Sequence, residues 1–173
     1  LYLNMMSFEE VEFTVKKFHA LEMTIEAAEF LIKNYELEHP NFKGFELREK
    51  AEPSFILFTT EGVFGKQQII RIPENTFEFP LVLNLNMLAH EMLHVKQKYT
   101  NSIVEDKNER EWQAYYEMLF HKEFPLIPEL TDFHKKAFGS KAFEYFNRMG
   151  ENSELQLKYQ EQKKEVKFLL ENL

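Results

Sequence analysis

His90, Glu91 and His94 stand in the pattern His-Glu-x-x-His inside the apolar run from Leu81 to Val95. Helical positions four apart are neighbours on one face, so both imidazoles can reach one zinc ion while Glu91, beside them, reaches a water that the metal holds. The chemistry this predicts is hydrolysis of a peptide bond by metal-activated water, with Glu91 as general base. The competing reading is a pair of core-edge histidines satisfied by hydrogen bonds.

A helix from Pro80 to Tyr99 would carry the motif. Pro80 suits a first helical turn, and Leu81, Leu85, Leu88, Met92 and Val95 recur at three- and four-residue steps. Two histidines do not complete a catalytic zinc site, which takes three protein ligands and keeps a fourth position for water. The chain has no cysteine, so the third ligand must be Glu, Asp or His.

A second helix predicted over about Val104 to Glu123 offers Glu105, Asp106, Glu109, Glu111, Glu117 and His121. Trp112, Tyr115, Tyr116 and Leu119 mark its apolar face, which places Glu109 and Glu111 at the margins and turns Glu117 to water. Ala114, three residues after Glu111, leaves a small surface where the motif helix can approach, and this favours Glu111. A donor for the developing oxyanion is also needed. Tyr115, Tyr116, His121 and His134 are the candidates; Tyr115 shares a helix side with Glu111, and packing is its alternative role.

These residues resemble the gluzincin metallopeptidases, in which the motif is completed by a glutamate on a following helix. Arg110-Glu111-Trp112-Gln113-Ala114-Tyr115 is similar to the glutamate-helix signature of HtpX-like and prenyl-protein endopeptidases, Arg-Glu-aromatic-x-Ala-Asp, and the resemblance implies Glu111 as the metal ligand. It departs at Tyr115, where those families place an Asp that supports the ligands, so the orientation of His90 or His94 must come from elsewhere. Their membrane segments are also missing. The compact soluble minigluzincins share the order of helix, small sheet, motif helix and glutamate helix; the likeness covers roughly residues 45–124 and implies a zincin-like core with Zn2+.

Around this core the chain predicts helices at both ends. Ser7-Phe8-Glu9-Glu10 is a capping box opening a helical segment toward Tyr35, with a break near Glu22 to Thr24, and His39-Pro40-Asn41 ends it. Phe45 to Lys50, Ser54 to Thr60 and Lys66 to Ile72 read as three strands whose short links suit an antiparallel meander. Ile69 to Pro73 would then be a sheet edge able to hold an extended peptide. Thr131 to Met149, interrupted at Gly139-Ser140, and a capped helix from Ser153 to Glu171 complete the chain. The expectation is an α+β fold: one zincin-like domain over residues 1–173, mostly helical, with a small antiparallel sheet packed on the motif helix.

Composition bounds the partners. At 173 residues with 44% hydrophobic content and 18 Phe, the chain can bury a substantial core. A net charge of −8 without a basic patch argues against nucleic acid. Apolar stretches fall well short of the roughly 20 residues that span a bilayer, and no basic-then-apolar leader opens the chain at Leu1. The expected partner is a peptide or protein substrate, with no nucleic acid and no membrane, in a soluble cytoplasmic protein whose oligomeric state is left open. Three function classes compete: a zinc peptidase, a zincin-fold binding or regulatory module without turnover, and a metal-free helical interaction protein docking through Leu155, Tyr159, Gln162, Val166 and Leu169 or Leu170.

Overall fold

Two apolar clusters organise the chain, one joining the motif helix to the sheet and the other joining the helices that follow it. The structure, a computed structural model, describes residues 6–173. Helices α1 (Phe8–Ala20) and α2 (Thr24–Asn34) precede strands β1 (Phe42–Arg48), β2 (Thr59–Glu61) and β3 (Gln68–Pro73). After a 3-10 turn at Thr76–Glu78 come α3 (Leu81–Gln97), α4 (Lys107–Phe120), α5 (Asp132–Arg148), α6 (Glu154–Lys158) and α7 (Gln160–Glu171). The fold is α+β and dominated by helix. No helix among the described residues is long and apolar enough to cross a membrane.

Local signals place most boundaries. The Ser7 hydroxyl accepts from the Glu10 backbone N–H at 3.2 Å and starts α1, and Glu22, in the left-handed region at φ 57°, breaks α1 from α2 where the sequence predicted a break. Asp106 and Thr131 cap α4 and α5 in the same way. The expected interruption of α5 at Gly139-Ser140 does not occur. Gly139 is there for close approach: a Cβ on it would stand 2.7 Å from Leu170 Cδ1 of α7. The Ser153 helix instead divides at Tyr159 into α6 and α7.

The sheet differs from the expected antiparallel meander. Its order is β1-β3-β2, with β1 parallel to β3 and β2 antiparallel to it. The reason is burial. Ile70 and Ile72 are fully enclosed, which makes β3 the inner strand, whereas the polar Thr59-Thr60-Glu61 suits an edge. The chain between Arg48 and Gln68 is long enough for the crossover a parallel pair requires, about a dozen residues or more. Ile69 to Pro73 is therefore not the edge predicted from its sequence; β2 is.

Helix α3 is buried almost all round, 14 of its 17 residues being enclosed, because it lies between the sheet and α4. Asn84, one of its buried polar residues, donates to the carbonyls of Thr76 at 2.9 Å and Phe79 at 3.2 Å and so fixes the entry of the helix. On the sheet side, Leu31, Phe58, Ile70, Ile72, Leu88 and Met92 form the first cluster. Among the later helices, Trp112, Tyr116, Ala142, Phe146, Tyr159 and Val166 form the second. Trp112 is wholly buried and donates from its indole to Gln162 at 2.9 Å, so the stripe on α6 and α7 covers the chain's own core. Truncating such a residue costs about 3–5 kcal/mol.

Candidate metal centre

The motif places its three side chains as the helical period requires. His90, Glu91 and His94 are all buried and offer ligand atoms within 4.8 Å of one another, a group that could hold a metal ion. The two Nε2 atoms are 3.1 Å apart. From α4, Glu111 Oε2 lies 3.5 Å from each of them. The three atoms make a nearly equilateral triangle. Ligands placed tetrahedrally at about 2.0–2.1 Å from zinc stand about 3.3–3.4 Å from one another, so the triangle fits that ion.

The hydrogen bonds make the triangle a set of acceptors. His94 Nδ1 is 2.8 Å from Gln97 Oε1, which only accepts, so this nitrogen carries the proton and Nε2 presents its lone pair. His90 Nδ1 faces the Met118 thioether sulfur at 3.1 Å, a weak acceptor that selects the same tautomer. Two lone pairs and a carboxylate oxygen then converge with no donor between them, an arrangement that a cation stabilises.

A proton on an imidazole Nε2 can take the place of such a cation against Glu111. Burial pushes His94 down, but the hydrogen bond its protonated ring donates to Glu111, the charges of Glu91 and Glu111, and Gln97 together outweigh it and raise its pKa. Burial pushes the Glu111 carboxyl up, yet the hydrogen bonds and charges of the two imidazoles hold it well below the usual carboxylate range. The site concentrates negative potential.

Glu91 is held differently from Glu111. Its Oε2 accepts from the Thr60 hydroxyl at 2.7 Å, so an edge strand restrains it while Glu111 stays against the imidazoles. Sequence reasoning missed Thr60, because nothing local to the short Thr59-Thr60-Glu61 stretch ties it to a helix thirty residues on.

Gln97 was also missed. Besides orienting His94, its amide donates to the Arg110 carbonyl at 3.0 Å and to Gln113 Oε1 at 2.9 Å, so one side chain positions a histidine and grips the peptide just before Glu111. The chain of bonds continues from Gln113 to the Tyr159 hydroxyl at 2.6 Å and from there to Glu109 at 2.5 Å. Gln97 takes the orienting role that the Tyr115 position leaves open. Its signal in the sequence is a polar residue three positions after His94 at the end of an otherwise apolar face.

The other candidates divide. The Tyr115 ring meets His90 edge-on at 4.6 Å between centroids and stacks on Tyr145 at 5.9 Å, so it both packs and lines the site. Burial, then the charge of Glu111, pushes its phenol up, keeping the hydroxyl protonated. His134 lines the same cleft. Tyr116 points away to Glu165 at 2.8 Å, and His121 bonds Asn86 Oδ1 at 2.7 Å and does not line the cleft. Glu109 binds Lys158 and Tyr159. Glu117, expected to face water, is instead 2% exposed, because it accepts the backbone N–H groups of Glu123 and Phe124 and closes the turn after α4.

The triangle opens into a cleft of about 660 Å³. Residues 54–60, including Thr59 and Thr60 of β2, line one wall, and Phe133, Phe138 and Tyr145 of α5 line the other. No protein-family model, characterised protein or solved structure matches this chain.

Proposed function

We propose that this chain is a zinc-dependent peptidase in which His90, His94 and Glu111 hold the metal and Glu91 is the general base. The observation that carries the reading is the convergence of three acceptor atoms from two helices, at tetrahedral spacing, beside a second carboxylate, Glu91, in the lining of a cleft. The gluzincin resemblance of Arg110 to Tyr115 supports the same ligand set.

When bound, zinc supplies Lewis acidity, polarising a carbonyl and acidifying water toward neutrality. The chain's own groups supply the rest. With Glu91 Oε2 engaged by Thr60, its other oxygen takes the proton of the attacking water. As the carbon–nitrogen bond breaks, that proton passes to the leaving amine. Tyr115, kept neutral, and His134 are the available donors to the oxyanion. The free edge of β2 offers backbone groups for an extended peptide, the role the sequence suggested for Ile69 to Pro73.

The test combines zinc analysis of protein purified without chelator with cleavage of a fluorogenic peptide. The expected result is one zinc per chain and activity that chelation removes and zinc restores. Glu91→Gln retains zinc and loses activity on the order of 10³-fold, whereas His94→Ala loses both. Full activity in Glu91→Gln would overturn the assigned base, and zinc-free protein would overturn the metal. Full zinc with no turnover on any peptide would leave a binding module of the same fold.

A further inference from the structure

The cleft carries positive charge that the rest of the molecule does not balance. The chain's net charge is −8, yet Lys98, Lys107 and Arg110 all line this cleft, and none forms an ion pair among the described residues. A fourth cation on the wall, Lys141, is by contrast paired with Glu144 at 3.1 Å. Uncompensated cations in a cleft focus field on whatever enters it.

Their placement follows from the helices that hold the triangle. Lys98 is four residues after His94, and Lys107 is four residues before Glu111, so each continues the line of a metal-facing residue by one turn, about 5.4 Å. Arg110 adjoins Glu111 itself. It is fixed by donating from Nη1 to the carbonyls of Val104 at 2.9 Å and Glu105 at 2.6 Å, which leaves Nη2 and Nε unengaged by those bonds. The Phe64 ring gathers two of the charges, with the Arg110 guanidinium 5.2 Å and the Lys98 ammonium 5.8 Å from its centroid. Burial, then the guanidinium charge, pushes Lys98 down, as expected for like charges side by side. Glu91 acts on Lys98 in the opposite sense without offsetting burial and the guanidinium, and a divalent ion in the proposed site would engage the charges of Glu91 and Glu111.

We propose that Lys98, Lys107 and Arg110 form a carboxylate-binding subsite, so that the preferred substrates are peptides with a carboxylate two or three residues from the scissile bond. This deepens the peptidase reading and rests on it. One helical turn plus a lysine side chain corresponds to about two or three residues of extended chain at about 3.3 Å each, which sets the spacing. The carboxylate comes either from an Asp or Glu side chain or from the peptide's own carboxy terminus, since both present the same two oxygens to ammonium and guanidinium donors.

The experiment uses zinc-loaded Glu91→Gln protein, which binds without turnover, and labelled peptides read by fluorescence anisotropy. Each peptide frame carries Glu, Gln or Lys at successive positions around its centre, with a free or an amidated carboxy terminus. Glu peptides are expected to bind about tenfold more tightly than Gln peptides at low salt, with the difference shrinking as ionic strength rises. A free-terminus advantage alone would assign the subsite to the terminal carboxylate, and an internal Glu advantage to a side chain. Lys98→Gln with Lys107→Gln removes the preference either way; Arg110 is left intact because its bonds position α4. Equal affinity for Glu, Gln and free-terminus peptides, or a preference that survives the double substitution, would overturn the proposal. Cleavage by the wild-type protein separates the two readings: turnover with no acidic preference sinks the subsite alone, and acidic preference in binding with no turnover sinks the peptidase alone.

Discussion

The hydroxyl oxygen of Thr60 lies 2.7 Å from Glu91 Oε2 and 3.0 Å from the carbonyl oxygen of the same residue. One hydroxyl has one proton and cannot donate to both. The ionised carboxylate is the stronger acceptor; once Glu91 has taken a proton, the carbonyl becomes the better one. Thr60 therefore fits both protonation states of a base.

Thr60→Val is expected to lower kcat about tenfold with zinc content unchanged, and Thr60→Ser to recover most of the loss. Parallel peptide kinetics and metal analysis check this. Zinc lost together with activity would make the hydroxyl a structural group rather than a partner of the base.

The convergence of His90, His94 and Glu111 was legible because its signals are local. His90 and His94 share a face by helical period alone, and of the two glutamates at the margins of the next helix's apolar stripe, Glu111 is set apart by Ala114 three residues on and by the resemblance of Arg110 to Tyr115. Long-range pairing was not legible. The order β1-β3-β2 depends on which strand is enclosed from both sides, a property of Ile70 and Ile72 in the assembled core rather than of their alternation. Glu117 was misplaced for a related reason: helical phase put it toward solvent, but the chain after His121, at φ 48°, folds back and covers it. Gly139 reads as a helix breaker in isolation and is a contact surface once α7 is in place.

Gln97→Leu keeps the volume of the side chain but removes the acceptor that fixes the His94 tautomer and the donor to Arg110. Zinc affinity is expected to fall about 10–100-fold, the usual effect of losing such a partner, with Gln113→Leu and Tyr159→Phe smaller in that order. Competition with a chromophoric chelator measures it. Unchanged affinity in Gln97→Leu would show that His94 is oriented by packing alone.

Glu117 separates acceptor from charge. Burial pushes its carboxyl up despite the backbone N–H groups that favour ionisation, so a neutral acceptor serves nearly as well there. Glu117→Gln is expected to fall within about 1 kcal/mol of the parent, and Glu117→Ala, which orphans the N–H groups of Glu123 and Phe124, to lose about 1–3 kcal/mol per group. Denaturant unfolding of the pair decides it; equal losses would mean the charge matters and the bonds do not.

Tyr35, Tyr115, Tyr116 and Tyr159 are all pushed up, in each case first by burial. A raised folded value means the native state holds its protons more tightly than the unfolded chain. The stability these groups contribute is complete below the unfolded value of about 10 and is lost as pH rises through the folded values. Tyrosinate difference absorbance should therefore lag a denatured control, and the lagging groups should ionise together with loss of helical circular dichroism. Titration of all seven tyrosines near the ordinary phenol value with the fold intact would contradict the burial described.

His90 and His94 belong to the body that packs on the sheet, and Glu111 to the one that packs on Trp112. Sliding one body an ångström from the other stretches both long sides of the ligand triangle at once, so occupancy and cohesion are a single equilibrium. A divalent ion held as proposed would act as a cross-link whose strength rises by mass action with its free concentration. Anything that wedged the halves apart would then expel the ion as well.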